Sequence, residues 1–136
     1  NAVMQILAEF PDLIDKTKVN LYGHKYGAFI AASMIRDFED SYHRCVLVRP
    51  LLKYHRTFPD NQVDREMEPH LYGKDMTTPI LMIIETSYRE FEYQAFESDL
   101  KSANVYFKKL IADKWRDDQI IQHVLQFYQD PMNNEN

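Results

Sequence analysis

Residues 18–38 read KVNLYGHKYGAFIAASMIRDF and contain the turn that decides the fold. The β-rich segment Lys18–Tyr22 leads into the pentapeptide Gly23-His24-Lys25-Tyr26-Gly27, which is followed by an alanine-rich segment with one apolar face. This order predicts a strand, a tight turn and a helix from Ala28 to Phe38. We expect both flanking glycines to let the strand and the helix approach each other where a Cβ atom would clash.

Further strands are predicted by apolar runs later in the chain. CVLV at Cys45–Val48 and PILMII at Pro79–Ile84 have the continuous apolar character of strands that are buried on both faces. VYFKKLI at Val105–Ile111 predicts a fourth strand. Helical patterns cover residues 2–10, 91–101 and 117–128. The alternation predicts an α/β fold in which a parallel sheet of about four strands carries helices on both faces.

The domain organisation follows from the remaining segments. Residues 51–78 contain Pro59, Pro69 and Gly73, which interrupt regular structure, and they show only a weak helical pattern around Asp60–Met67. This segment is therefore predicted to be a long connection that crosses the surface. Residues 1–130 are interpreted as one domain and residues 131–136 as a polar tail.

Composition excludes several classes of partner. The chain has 136 residues, and its 21 acidic and 16 basic side chains give a formal net charge of −5, which is unlike a nucleic-acid-binding or anionic-membrane surface. No apolar run approaches the ~20 residues of a membrane span, so no span is predicted. Cys45 is the only cysteine and is expected to be a buried free thiol. The histidines lack ligand spacing, and we predict no metal and no cofactor.

The pentapeptide has the G-x-X-x-G spacing of the nucleophile elbow of α/β-hydrolases. Together with the stretches Ile14–Val19, Ala28–Ala31 and Tyr42–Cys45, it resembles the prolyl-oligopeptidase family of serine peptidases, particularly the dipeptidyl-peptidase branch. The resemblance extends from about residue 2 to about residue 130. It implies the C-terminal half of an α/β-hydrolase catalytic domain, with the early strands of that domain absent.

The resemblance also places the catalytic triad, and the matching residues differ from those the family uses. Lys25 stands at the serine position, Tyr88 at the aspartate position and Arg116 at the histidine position. A lysine ammonium cannot form the alkoxide that attacks a peptide carbonyl. We therefore expect no catalytic residues in this chain, and we expect His24 to support the elbow.

Two functional hypotheses follow. The first is a catalytically inactive relative of these peptidases that acts as a protein-binding or assembly module, or as part of a larger chain. The alternative is a peptidase or esterase of altered chemistry that uses Lys25 or residues outside this chain. One cysteine and no N-glycosylation sequon favour an intracellular location, but the family also includes secreted and membrane-anchored members, so the compartment is left unassigned.

A protein partner or a homo-oligomer is also expected. In the resembling peptidases the last strand and the terminal helix form a dimer contact, and the terminal helix here is more apolar than a solvated helix requires. The predicted interface residues are Val105, Phe107, Ile121, Val124, Leu125 and Tyr128.

Overall fold

The computed structural model describes residues 2–9, 12–13, 15–38, 40–52, 69–86 and 93–131. Within these ranges the strands are β1 (Asn20–His24), β2 (Arg44–Val48), β3 (Ile80–Ile84) and β4 (Phe107–Ile111). The helices are α1 (Ala2–Glu9), α2 (Tyr26–Asp37), α3 (Gln94–Ser102) and α4 (Asp117–Gln129). Short 3-10 helices cover Lys16–Lys18 and Pro69–Asp75. Among these helices, none has the length and apolar character needed to cross a lipid bilayer.

The four strands form one parallel sheet in the order β1-β2-β3-β4, which confirms the predicted architecture. All residues of β2 and β3 are buried, as the continuous apolar runs predict. The boundaries of β1 are shifted, because Asp15 accepts a hydrogen bond from the Thr17 amide (2.9 Å) and holds residues 16–18 in a 3-10 turn. The strand then continues through Gly23 and His24.

Helices cover both faces of the sheet. We call the side of the sheet on which α2 lies the α2 face. There the buried alanines of α2, together with Ile35 of α2 and with Phe96 and Leu100 of α3, pack on the sheet residues Cys45, Leu47 and Met82. Cys45 is fully buried and is a free thiol, as predicted, and burial raises the pKa of its thiol far above the ordinary value.

On the opposite side of the sheet, which we call the α4 face, helix α4 packs against alternate residues of the two central strands. These residues are Val46, Val48, Leu81 and Ile83 of the sheet and Ile120, Val124 and Phe127 of α4. The second apolar core explains why the terminal helix is rich in apolar residues.

A buried cation fixes the C-terminal end of α4. Arg44 is only 4% exposed, and its guanidinium donates hydrogen bonds to the carbonyl oxygens of Phe127 and Asp130. The Phe127 carbonyl lies in the last turn of the helix and Asp130 is its C-cap residue, and a cation at this end also interacts favourably with the helix dipole. Tyr128 adds a second link, since its hydroxyl donates to the carbonyl oxygen of Leu21 in β1 (2.8 Å).

Of the remaining predictions, the weak helix at residues 60–67 lies outside the described residues, as do residues 132–136 of the tail. The domain limits of 1–130 and 131–136 stay a prediction.

The prediction that both glycines of the turn permit close approach is half wrong. A Cβ atom on Gly23 would lie 2.3 Å from the Gly27 carbonyl oxygen and 2.6 Å from the Ala28 Cα atom. A Cβ atom on Gly27 would meet no atom within 4 Å among the described residues beyond its chain neighbours and the backbone of α2 itself. The strand therefore requires glycine at position 23, whereas position 27 is an ordinary site in the first turn of α2.

Gly23→Ala is expected to lower the free energy of unfolding by about 3 kcal/mol, because the added methyl group meets backbone atoms that cannot move without displacing α2. Gly27→Ala is the matched control, and it should leave the free energy unchanged or raise it by up to about 1 kcal/mol through helix propensity. Urea denaturation of the two variants measures the difference. Equal stabilities would contradict this description of the turn.

Candidate functional site

The turn between β1 and α2 presents Lys25 at the carboxyl edge of the sheet. Its backbone lies at φ 56° and ψ −112°, a left-handed conformation that is strained for a residue with a Cβ atom. Three backbone hydrogen bonds hold it: the Lys25 amide donates to Val48 (3.0 Å), and the Lys25 carbonyl accepts from Ala28 (3.0 Å) and Leu51 (3.2 Å). The Lys25 side chain is exposed, and so are the neighbouring His24 and Tyr26.

Arg49 and Glu85 form an ion pair beside this turn. Arg49 directly follows β2 and Glu85 directly follows β3, and the guanidinium donates to one carboxylate oxygen at 2.7 Å and 3.0 Å. The other guanidinium nitrogen lies 3.5 Å from Nε2 of His24. Sequence reasoning missed Arg49, although its position immediately after a buried strand was a usable signal, because the ends of parallel strands meet at one edge.

The loops after β3 and β4 are joined by a second polar contact. Asp113 accepts a hydrogen bond from the Thr86 amide (2.8 Å) and another from the Thr86 hydroxyl. These hydrogen bonds lower the pKa of the Asp113 carboxyl group, so it is ionised at neutral pH. Neither residue was identified from the sequence as part of a site.

Arg116, at the predicted histidine position, begins the terminal helix. It is the N-cap residue of α4, and its backbone amide donates to the side-chain oxygen of Gln119 (2.9 Å). Its guanidinium is exposed and pairs with Asp118 at 3.0 Å and 3.2 Å. These contacts stabilise the start of a helix. Tyr88, at the predicted aspartate position, lies outside the described residues.

A small crevice opens at the carboxyl edge between β1 and α4. Its volume is about 280 Å³, and it is lined by Tyr22, His24, Val48, Arg49, Asp117, Ile120 and Ile121. The lining combines apolar side chains with one histidine, one cation and one carboxylate. Among the described residues, no three His, Cys, Asp or Glu side chains converge in a way that would hold a metal ion.

The charged side chains around the crevice influence the pKa of His24. Partial burial lowers the pKa of His24, and the cations Arg49 and Lys25 lower it further, against a smaller opposing effect of Asp117. The imidazole is therefore neutral at pH 7. The same direction holds for His43 at the opposite end of the sheet, where burial lowers the pKa and Arg44 and Lys18 add to the effect.

The six predicted interface residues have different environments. Val105 and Phe107 pack against the core of the α2 face, and Val124 is buried in the core of the α4 face. Ile121 and Leu125 are 54% and 52% exposed. Tyr128 is half-buried, and its hydroxyl points to β1. The interface itself stays a prediction, and only Ile121 and Leu125 present large apolar surfaces to it.

Comparison with solved structures identifies the architecture. The structure aligns with Pyrococcus horikoshii acylaminoacyl peptidase over 95% of this chain, with a TM-score of 0.70 and 15% identity. It also aligns with dipeptidyl peptidase 4 of Porphyromonas gingivalis over 86% of this chain, with a TM-score of 0.70 and 14% identity. The chain has an α/β-hydrolase fold. The expectation from the elbow motif is thereby confirmed at the level of fold.

The structure is also similar in fold to a hydrolase that is not named as a peptidase. S-formylglutathione hydrolase (FrmB) of Staphylococcus aureus aligns over 93% of this chain, with a TM-score of 0.66 and 12% identity. The chain spans only 25%, 20% and 58% of the lengths of these three proteins, respectively. No protein-family model matches the sequence, and neither does any curated protein.

The lowered pKa values of His24 and His43 predict that the free energy of unfolding falls as the pH drops from about 7 to about 5. The folded state disfavours the protonated imidazoles, so the unfolded chain binds more protons once the pH passes below the ordinary histidine value of 6.5. Urea denaturation across this range measures the slope. His24→Gln and His43→Gln should each reduce it, and the double variant should reduce it most. A wild-type free energy that stays constant over this range would contradict the prediction.

Proposed function

We propose that this chain is a catalytically inactive protein of the prolyl-oligopeptidase type that binds or assembles with another protein, either alone or as part of a larger chain. The observation that carries the proposal is Lys25 at the apex of a retained nucleophile elbow. The backbone there has the strained geometry that presents a nucleophile, but the side chain is an amine.

The neighbouring loops support inactivity. Acyl transfer of the serine type needs a histidine base that contacts the nucleophile and a carboxylate that orients the base. The segment between β4 and α4 contains Asp113 and Arg116 but no histidine. Both residues have structural contacts, since Asp113 joins Thr86 of the loop after β3 and Arg116 caps α4.

The ion pair at the carboxyl edge also disfavours a reactive centre. Glu85 is the described carboxylate that follows β3 most closely, and both of its contacts are with the Arg49 guanidinium. This carboxylate is therefore engaged by a guanidinium, and among the described residues no imidazole is hydrogen-bonded to it. His24 is the nearest imidazole, and it lies beside the same cation with no carboxylate hydrogen-bonded to it among the described residues.

The assembly role is supported by exposed apolar side chains beside β1. Tyr22, Ile121 and Leu125 are each about half exposed and are close in the fold, because Tyr22 and Ile121 line one crevice and Leu125 follows Ile121 by one helical turn. Clusters of this kind on a soluble domain mark contacts with other polypeptides.

One feature favours the alternative of a hydrolase with altered chemistry. The strain at Lys25 is retained, and strained backbone is often found at reactive positions. A lysine amine can form Schiff bases with carbonyl compounds, or it can act together with residues outside this chain. Labelling experiments separate this alternative from inactivity.

The inactive assignment predicts that a fluorophosphonate probe labels no residue of the chain, and that aryl esters and proline-containing peptides are not turned over. The physical reason is that, within the part of the chain that the structure describes, no serine lies beside a histidine at the carboxyl edge. Intact-mass spectrometry after incubation with the probe measures labelling directly. Stoichiometric labelling of any residue would overturn the assignment, and reductive trapping of an aldehyde on Lys25 in preference to the other lysines would favour the alternative.

Lys25→Ser is expected to remain inactive, although it restores the serine of the elbow. Triad residues act as a unit, so a serine without its base gains little. The variant should fold normally, because the Lys25 side chain is exposed and the hydrogen bonds of this position are made by the backbone. Esterase activity in Lys25→Ser would show that a base lies within reach of the elbow.

A further inference from the structure

A cleft lies at the amino edge of the sheet, at the end opposite to Lys25. Its volume is about 370 Å³, and we call it the amino-edge cleft. It is lined by Thr17, Asp40, Ser41, Tyr42, His43, Thr77, Thr78 and Pro79. Seven of these eight residues belong to the connections that lead into β2 and β3, the two central strands. The amino-edge cleft is therefore built between central strands and not by the outer side of β1.

The two connections are held in place by their own contacts. The Thr77 hydroxyl donates a hydrogen bond to Oδ1 of Asp40 (3.2 Å), which joins the connection before β3 to the connection before β2. The His43 amide donates to the carbonyl oxygen of Val19 (2.7 Å), which joins the same connection to the residue before β1. The walls of the cleft are therefore largely pre-formed, as the walls of small-molecule sites usually are.

Two side chains that line the cleft carry buried polar atoms with no hydrogen-bond partner among the described residues. These atoms are the hydroxyl oxygen of Thr78 and Nδ1 of His43. Thr78 is only 2% exposed, and burial of a hydroxyl without a partner is costly. A threonine hydroxyl turns toward a partner by rotation about its Cα–Cβ bond. A molecule in the cleft can supply the partners that the described protein atoms do not.

The charges of the lining favour an uncharged ligand. Asp40 contributes the only carboxylate, and no lysine or arginine lines the cleft. An anion would therefore meet a like charge without a cation to balance it. A cation would find one carboxylate, whose Oδ1 already accepts a hydrogen bond from Thr77. Burial lowers the pKa of His43, and Arg44 adds to the effect, so the imidazole is neutral at pH 7.

The composition of the lining favours a ligand with several hydroxyl groups. Five of the eight lining residues carry a side-chain hydroxyl, and the others include one imidazole and one carboxylate. A ligand hydroxyl can donate to a carboxylate or to an imidazole nitrogen while it accepts from a serine or threonine hydroxyl. The volume of the cleft lies near the lower end of the range of about 300–1,000 Å³ for small-molecule sites, so the ligand is small.

We propose that the amino-edge cleft binds a small uncharged molecule with several hydroxyl groups, a monosaccharide or a polyol. Asp40 accepts hydrogen bonds from the ligand hydroxyls, and Nδ1 of His43 accepts another. The Thr78 hydroxyl donates to a ligand oxygen. The site lies at the opposite edge of the sheet from Lys25, so this binding function goes beyond the inactive, protein-binding role proposed above.

Isothermal titration calorimetry of the full 136-residue chain at pH 7 tests the proposal. The uncharged probes are glucose, galactose, myo-inositol and glycerol, and the charged counterparts of glucose are glucuronate and glucosamine. At least one uncharged probe should bind at millimolar concentration. Glucuronate and glucosamine should each bind more weakly than that probe, because the lining holds no cation for the first and only one, already engaged, carboxylate for the second.

Two variants test the residues that hold the ligand. Thr78→Val removes the hydroxyl and keeps the branched shape, and it should weaken binding about tenfold, the loss expected for one hydrogen bond. Asp40→Asn should weaken binding by a similar factor, and asparagine tolerates the left-handed backbone of this position (φ 63°). Thr86→Val is the matched control: Thr86 is exposed at the carboxyl edge, and this variant should bind with unchanged affinity.

Urea denaturation separates loss of binding from loss of folding. Thr78→Val should leave the free energy of unfolding unchanged or raise it, because the hydroxyl has no partner to lose among the described residues. Failure of every uncharged probe to bind would overturn the proposal, and so would binding that neither variant weakens. Tighter binding of glucuronate or glucosamine would overturn the assignment of an uncharged ligand. Fluorophosphonate labelling is measured separately, so a chain that binds none of these probes leaves the inactive assignment intact.

Discussion

The contact between Gly23 and the backbone of Gly27 and Ala28 is the constraint on which the rest of the structure depends. It sets how closely β1 and α2 approach, since any Cβ atom at position 23 would lie 2.3 Å from a carbonyl oxygen. The short crossing forces the intervening Lys25 into a left-handed conformation. It also brings the first two turns of α2 onto the sheet, where Ala28 and Ala31 are buried.

This constraint fixes the backbone of the turn independently of the side chain at its apex. The conformation at Lys25 is determined by the strand-to-helix crossing and by hydrogen bonds to Val48 and Leu51. None of these contacts involves the Lys25 side chain. The backbone geometry is therefore a requirement of the fold, and the exposed side chain at its apex can be changed at little cost in stability. A nucleophile-elbow motif in a sequence is evidence for the fold. It is evidence for hydrolase chemistry only when the catalytic side chains are present as well.

The sequence predicted the strand order and the parallel sheet because the physical signal was strong. β2 and β3 are buried on both faces, and such strands have continuous apolar sequences. The start of β1 was placed two residues early, because the hydrogen bonds of Asp15 to Thr17 are a local side-chain effect that a β-rich pattern does not reveal. The sequence analysis expected both Gly23 and Gly27 to permit the close approach of strand and helix, but only Gly23 does so. The spacing of the motif does not distinguish the two glycines. They differ in the direction in which a Cβ atom would point, which the sequence does not reveal.

The candidate site was predicted less completely. Lys25 and Arg116 were identified from the resemblance to the prolyl-oligopeptidase family, and the structure places both at the carboxyl edge. Arg49, Thr86 and Asp113 were missed, because their roles depend on which loops meet in space. Parallel strands bring the loops after β2, β3 and β4 to one edge whatever residues those loops contain. In this chain Arg49 forms an ion pair with Glu85 at that edge, and Asp113 accepts a hydrogen bond from Thr86, so polar side-chain contacts join the loops after β2, β3 and β4.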